Sequence, residues 1–287
     1  MSLFGFLKDQ KLKPTWEYKV DGLIWRVIPA ESGKIVGEVR NVTKKATSFF
    51  CLNQMTGEVF WEDLKFGERW WIGIEAIHKD VILLHGFSTP DLPQHKGVIA
   101  VDLMTGETIW RNDNETFVAT GENSVFTSQE SIKGGVFSKL DSRTGEILGS
   151  EQAIEDFPGV KNVTPEFTVE NEIQLPTPLR NLSDYSLNTY YSGDDLVGEV
   201  EGVDHHNLIV FNFHERLADS SEQRARLKNT LKVLDKTSGA ILYSTVLDAQ
   251  GTTVIPESFF IQRGTLFFIR ERHELTALHL QSSHGEE

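Results

Sequence analysis

The chain has 287 residues, one cysteine and a formal net charge of −14, which arises from 42 acidic and 28 basic side chains. This acidic charge opposes binding to nucleic acid or to an anionic membrane, because both depend on Lys and Arg side chains that neutralise phosphate. The single cysteine, Cys51, excludes an internal disulfide, and its place in the apolar run Phe49–Leu52 predicts a buried thiol.

The first residues do not have the pattern of an export signal. Residues 1–8 contain too few apolar positions for the core of a signal peptide, and no cleavage site of small residues follows them. Elsewhere no segment approaches the roughly 18 uninterrupted apolar residues of a transmembrane helix. We therefore expect a cytoplasmic protein without a membrane span.

In chain order, the predicted elements are short apolar strands that group by four. The first three groups are regular and span residues 22–64, 70–112 and 116–150. The fourth, residues 151–195, is irregular because it carries four prolines, which restrict strands to sheet edges. The fifth spans residues 196–246, and the sixth, residues 252–280, lacks one strand, which residues 15–20 would supply.

A turn of constant chemistry recurs within these groups. Glycine tolerates a positive φ, and the Thr or Ser before it bonds the nearby backbone, so each turn joins two antiparallel strands. A unit repeated every 40 to 50 residues or so is typical of a propeller or a solenoid. The four turns are Thr56–Gly57, Thr105–Gly106, Thr144–Gly145 and Ser238–Gly239.

We therefore predict an all-β chain that forms a single domain over residues 1–287. The domain would be a β-propeller of six four-stranded blades, and the N-terminal strand would close the last blade so that two free sheet edges disappear. Aromatic residues on the outer strands would dock between blades, as apolar plates with one polar edge. Ligand stacking is the alternative role for these residues: Trp16, Trp61, Trp110 and Tyr243.

The copy from Ala100 to Trp110 resembles the blade motif of the quinoprotein-like propellers, in which an Asp, a Thr-Gly turn and a Trp mark each blade. The quinoprotein dehydrogenases of this type are exported and bind pyrroloquinoline quinone and calcium beside a pair of adjacent cysteines. With one cysteine here, the resemblance implies the fold but not the quinone, and we predict no cofactor. The runs Trp70–Gly73, Leu84–Phe87 and Pro93–Asp102 also look like an uncharacterised bacterial family annotated only as a domain of unknown function.

Residues 88–97 join two predicted strands and are the most promising place for a site. The joint is longer than an ordinary hairpin and contains two prolines, and long ordered loops on a rigid scaffold often carry function. The alternative interpretation is a surface loop with ordinary charges. The candidate ligand-binding residues, for an anionic or polar ligand, are Glu75, His85, Asp91, His95 and Lys96.

Known catalytic and metal-binding motifs are missing. The nine histidines do not form a His-x-x-x-His pattern with a following Glu, and neither a nucleophile elbow nor a phosphate-binding glycine loop is present. We predict no metal site, and catalytic residues stay unassigned. Our main hypothesis is a non-catalytic, monomeric scaffold that binds a protein partner or a small ligand. The alternative is an enzyme of hydrolase or lyase type with its site in the axial channel or in the 88–97 loop.

Overall fold

The computed structural model describes residues 12–89, 92–129, 135–157, 173–180, 187–218 and 226–280. The described chain is all-β, as predicted, with two short 3-10 turns at Ile154–Asp156 and Leu187–Thr189. It divides into two compact units. We call Asp21–Val169 the central unit, and Met1–Val20 together with Glu170–Glu287 the terminal unit.

The central unit contains three four-stranded antiparallel sheets, in which each strand pairs with the next along the chain. These sheets agree with the first three predicted groups. The first sheet comprises β2 (Leu23–Pro29), β3 (Lys34–Asn41), β4 (Ala46–Asn53) and β5 (Val59–Leu64). The second comprises β6 (Ile72–His78), β7 (Val81–Thr89), β8 (Leu92–Asp102) and β9 (Thr108–Asn112). The third comprises β10 (Thr116–Thr120), β11 (Ser124–Gln129), β12 (Val136–Asp141) and β13 (Ile147–Glu151).

The terminal unit contains two five-stranded antiparallel sheets. The fourth sheet has the order β15 (Thr177–Pro178), β16 (Leu196–His205), β17 (Leu208–Arg216), β18 (Leu227–Asp235) and β19 (Ile241–Gly251). The fifth has the order β1 (Trp16–Lys19), β22 (Glu274–His279), β21 (Thr265–Arg270), β20 (Phe259–Gln262) and β14 (Ile173–Gln174). Trp16 pairs with Ala277 and Lys19 with Glu274, so the N-terminal strand joins the C-terminal strand as the sequence predicts.

The predicted fourth group, residues 151–195, does not form a sheet of its own among the residues that the structure describes. Its two short strands, β14 and β15, instead lie at the edges of the fifth and the fourth sheet. Proline has no N–H to donate, so a segment that carries Pro176 and Pro178 fits only at a sheet edge. The described residues therefore form five sheets, and the six-blade arrangement stays a prediction.

The cores of each unit lie between neighbouring sheets. On β7, Ile82 and Leu84 face the first sheet, where they join a cluster with Val36 and Phe49. Val81 and Leu83 point the other way and pack with Val125 of the third sheet. Side chains alternate along a strand, so a strand covered on both sides is apolar throughout. Each such side chain contributes roughly 1.5–3 kcal/mol on burial.

The recurring turns are built on a carboxylate or amide that accepts backbone hydrogen bonds. Oδ1 of Asp141 accepts from the N–H groups of Arg143 (2.9 Å) and Thr144 (2.8 Å). These two bonds hold the pKa of Asp141 below its ordinary value. Asp102 accepts from Met104 and Thr105 in the same way. The Asp of the repeat is thus explained by the construction of the turn.

Two outer-strand tryptophans of the central unit pack on the turn of the following sheet. Trp61 donates from Nε1 to the carbonyl oxygen of Leu103 at 3.1 Å, and Trp110 donates to that of Ser142 at 2.9 Å. In the terminal unit, Tyr243 of the fourth sheet lies 5.9 Å from the ring of Phe268 in the fifth. Trp16 is buried and lies 6.0 Å from Phe267 within its own sheet.

Cys51 lies on β4 and is completely buried, as the sequence predicts. Burial raises the pKa of its thiol to about 12, so the thiol stays protonated at neutral pH. A protonated thiol inside the core is a small apolar side chain rather than a nucleophile. No helix among the described residues is long and apolar enough to cross a membrane.

Candidate functional site

The segment predicted as the 88–97 loop is, for the most part, an extension of two paired strands. β7 continues to Thr89 and β8 begins at Leu92, with Phe87 opposite His95. The expectation of a long loop was therefore wrong. β9 pairs with β8 only from Val98 onwards, so the earlier part of β8 tolerates Pro93, which cannot donate a hydrogen bond.

A β-bulge interrupts the pairing of β7 with β8. Leu84 lies opposite Ile99 and Gly86 lies opposite Lys96, so β8 has one residue more than β7 in this interval. Gly97 has a φ of +78°, which a side chain would strain, and its N–H bonds to the carbonyl oxygen of Glu115 at 2.9 Å. The extra residue is thus accommodated at Gly97.

The bulge decides which side chain of β8 shares a face with His85. A shift of one residue moves every side chain beyond it to the opposite face of the sheet. Because His95 lies opposite Phe87, and Phe87 is two residues from His85, these three side chains lie on one face. Lys96 is exposed and belongs to the opposite face.

Strand β6 supplies the third member of the cluster. Gly73 lies opposite His85, and the pairing of β6 with β7 shifts between Ile74 and Ala76, at Glu75. From this second irregularity Glu75 reaches the histidines. Its Oε2 lies 2.8 Å from Nδ1 of His85 and 2.8 Å from Nδ1 of His95. We call Glu75, His85 and His95 the Glu-His-His cluster.

The two imidazoles are stacked. Their ring centroids are 3.5 Å apart and their planes differ by 7°. The ring of Phe87 stands edge-on to both, at 5.2 Å from His85 and 5.3 Å from His95. The exposed fraction of the side chain rises from 8% for His85 to 19% for Glu75 and 37% for His95. The cluster is therefore anchored inside the sheet and reaches solvent at His95.

Hydrogen bonding and charge are distributed unequally over the cluster. His95 makes a hydrogen bond to Glu75, whereas the buried Nδ1 of His85 lies at the same distance of 2.8 Å from Oε2 of Glu75 without forming a hydrogen bond. Burial raises the pKa of Glu75, but the nearby imidazole nitrogens of His85 and His95 outweigh burial and lower the pKa overall. Glu75 is therefore a carboxylate at neutral pH.

The first sheet holds β6 in place beside the cluster. Oε2 of Glu38 on β3 accepts from the N–H of Ile74 at 3.0 Å, and Arg40 donates to the carbonyl oxygen of Ile72 at 2.7 Å. The ring of Trp71, just before β6, lies 5.8 Å from Phe87 and is partly exposed. These contacts fix the backbone from which Glu75 projects and place an aromatic side chain at the rim.

The structure brings together three of the five candidate ligand-binding residues. Glu75, His85 and His95 converge, Lys96 lies on the other face, and Asp91 falls outside the described residues. These three residues follow no linear metal-binding motif, because they are ten residues apart on three strands. The signal in the sequence is that Glu75, His85 and His95 fall on three consecutive strands, β6, β7 and β8.

One family model matches the chain, over residues 28–110, and its description is Domain of unknown function (DUF4905). The matched residues run from the end of β2 to β9 and include the whole Glu-His-His cluster. No curated protein matches the chain. The resemblance to an uncharacterised family is supported, whereas the quinoprotein-like repeat stays a prediction.

Proposed function

We propose that this protein is a non-catalytic binding protein and that the Glu-His-His cluster is its ligand site. The observation that supports the proposal is the convergence of three donor side chains whose ligand atoms lie within 4.8 Å of one another. One of them, His85, keeps a buried Nδ1 without a hydrogen bond. Buried polar atoms are normally paired, and an unpaired one is costly, so a bound ligand would supply the missing partner.

The location of the cluster also favours binding. All three residues project from paired strands rather than from loops, so their backbone positions are set before a ligand arrives, and a fixed backbone lowers the entropy cost of binding. His95 provides the opening through which a small ligand reaches His85 and Glu75. The cluster is buried at His85 and open to solvent at His95, and such a recess is better suited to a small ligand than to the flat surface of a protein partner.

An enzyme remains the second candidate, because a carboxylate beside two imidazoles is also a set of groups that can transfer protons. The partial exposure of His95 would give a substrate access to them. In that case the active site would be the Glu-His-His cluster, to which residues 88–97 contribute His95. Turnover of a substrate that His95→Ala abolishes would favour the enzyme over the binding protein.

The broader parts of the proposal come from the sequence. The six-bladed propeller is supported by the recurring turns and by the paired terminal strands. The cytoplasmic location and the monomeric state stay predictions. A protein partner and the absence of a cofactor such as pyrroloquinoline quinone also stay predictions.

The proposal is tested by native mass spectrometry of protein purified from its own cells. Wild type is compared with His95→Ala and with His205→Ala, a control that removes a histidine of β16 in the terminal unit. We expect an additional bound mass on wild type and on His205→Ala that His95→Ala has lost. Identical mass spectra for all three proteins would contradict a ligand site at the cluster.

A further inference from the structure

We propose that the ligand of the Glu-His-His cluster is a divalent transition-metal ion of the zinc type. Its protein ligands would be Nδ1 of His85, Nδ1 of His95 and Oε2 of Glu75. The inference rests on the proposed function, because it names the class of ligand for the same site. The sequence alone predicted no metal, since the three residues do not follow a linear metal-binding motif.

The chemistry of the donor atoms selects this class of ion. Two imidazole nitrogens and one carboxylate oxygen suit zinc and its neighbours in the first transition row. Calcium and magnesium prefer sets made of oxygen atoms alone. Three protein ligands leave one coordination position of a tetrahedral ion open for water or for a further ligand. Because the His95 side chain is partly exposed, solvent can reach this position.

The distances are close to those of a metal site. Donor atoms around a tetrahedral zinc ion, with bonds of about 2.0–2.2 Å, lie about 3.4 Å apart. The two Nδ1 atoms each lie 2.8 Å from Oε2 of Glu75, so an ion requires these gaps to open by roughly half an ångström. It also requires the stacked rings to turn until both nitrogens point at one place. The more exposed His95 has the freedom to make this change.

Charge and hydrogen bonding favour the ion as well. Metal ligands bind in their deprotonated forms, and Oε2 of Glu75 is the carboxylate oxygen that both imidazoles face. An ion would be bound by the buried Nδ1 of His85, which forms no hydrogen bond. Both imidazoles would then face the ion, whereas both now face Oε2 of Glu75.

The test is isothermal titration calorimetry of metal-free protein with Zn²⁺, with Mg²⁺ as the control ion. We expect one equivalent of Zn²⁺ to bind wild type and His205→Ala. Affinity should fall at least about 100-fold in His95→Ala and in Glu75→Gln, since even an outer-shell partner is typically worth 10- to 100-fold. Mg²⁺ should not bind at this site. Co²⁺ should give visible absorption bands that both cluster variants lose.

A comparison of thermal stability shows whether the cluster variants are folded. Glu75→Gln preserves the size of the side chain, and His95 is partly exposed, so both variants should match the thermal unfolding midpoint of metal-free wild type to within a few degrees. Failure of folded wild type to bind Zn²⁺ and Co²⁺, or unchanged binding in both cluster variants, would overturn the inference.

If the metals do not bind but native mass spectrometry finds another mass that depends on His95, the proposed function stands without the metal. If neither is found, both proposals fail.

Discussion

Glu38 and Arg40 form a buried ion pair that connects the first sheet to the second. Nη2 of Arg40 lies 2.6 Å from Oε1 of Glu38, while the other carboxylate oxygen accepts from the N–H of Ile74. Arg40 also reaches the carbonyl oxygen of Ile72 on β6. The pair thereby positions the strand that carries Glu75. Removal of one partner would leave an uncompensated charge inside the protein.

Glu38→Ala should therefore lower the free energy of unfolding by about 3–5 kcal/mol, as expected for a broken buried pair. Urea unfolding followed by circular dichroism measures the loss. The matched control is Asp21→Ala, which breaks the exposed pair of Asp21 with Lys44 and should leave the unfolding midpoint where it is. Equal midpoints for the two variants would show that the buried pair does not stabilise the fold.

His214 on β17 is a second buried histidine, in the terminal unit. Its Nε2 accepts from the N–H of Ile255 at 3.2 Å, and its Nδ1 has no hydrogen-bond partner. Burial lowers the pKa of His214, and the charge of Asp248 opposes this only in part. The folded protein therefore holds His214 in its neutral form to a lower pH than the unfolded chain does.

This difference predicts a loss of stability in mild acid. Below the ordinary histidine pKa of about 6.5, His214 is protonated in the unfolded chain but stays neutral in the folded protein. The free energy of unfolding therefore decreases as the pH is lowered, until the lowered pKa of folded His214 is reached. We expect His214→Gln to have a flatter stability profile than wild type between pH 7.5 and pH 5.5. Chemical denaturation at several pH values gives these profiles. Parallel profiles for His214→Gln and wild type would contradict the assignment.

At the scale of elements, the turn of one sheet is the docking surface for the outer strand of the sheet before it. A Cβ atom on Gly145 would lie 2.7 Å from the ring of Trp110, whereas one on Gly239 would have no atom within 4 Å. Both glycines occupy the same place in the repeat and have similar φ angles, +71° and +68°. The two positions therefore separate the strain of the turn from the contact with tryptophan.

Gly145→Ala should destabilise the protein more than Gly239→Ala. Both substitutions place a side chain in the left-handed region, at a cost of about 1–2 kcal/mol. Gly145→Ala adds a steric overlap with Trp110, which should cost a further 1–3 kcal/mol or so. Urea denaturation of the two variants measures the difference. Equal losses would mean that the tryptophan moves away freely and does not depend on the turn.

At the scale of the whole chain, the two termini meet in one sheet. The N–H of Thr15 donates to the carbonyl oxygen of Ala277, and β1 pairs with β22 over four residues. Trp16 and Phe267 pack within the same sheet. Without β1, β22 would become an edge strand with unpaired backbone groups. The terminal unit is thus completed by residues from the opposite end of the sequence.

Deletion of residues 1–20 should loosen the fifth sheet selectively. We expect amide hydrogens of residues 265–279 to exchange at least about tenfold faster, which corresponds to a loss of roughly 1.4 kcal/mol of local protection. Residues 81–102 of the second sheet should keep their protection. Hydrogen exchange with mass spectrometry measures both segments, and a synthetic peptide of residues 12–20 should restore the first. Unchanged exchange in residues 265–279 would contradict a stabilising role for β1.

The features that the sequence predicted correctly depend on neighbouring residues along the chain. The Thr105–Gly106 turn follows from a glycine at positive φ and from Asp102, which bonds the backbone two and three residues later. The all-apolar strand β7 follows from burial on both faces. The terminal pairing was found because Trp16 fills the outer-strand position of the repeat. Each of these signals is local, so no knowledge of distant contacts was needed.

The features that the sequence did not reveal depend on the register between strands. The prolines of residues 88–97 favour a loop, but this part of β8 lies beyond its pairing with β9, where a proline is tolerated in a strand. The bulge at Gly97 brings His95, and not Lys96, to the face of His85. A register is chosen by the pairing and burial of whole strands, and one extra residue exchanges the two faces. For that reason the convergence of Glu75, His85 and His95 is a property of the folded sheet.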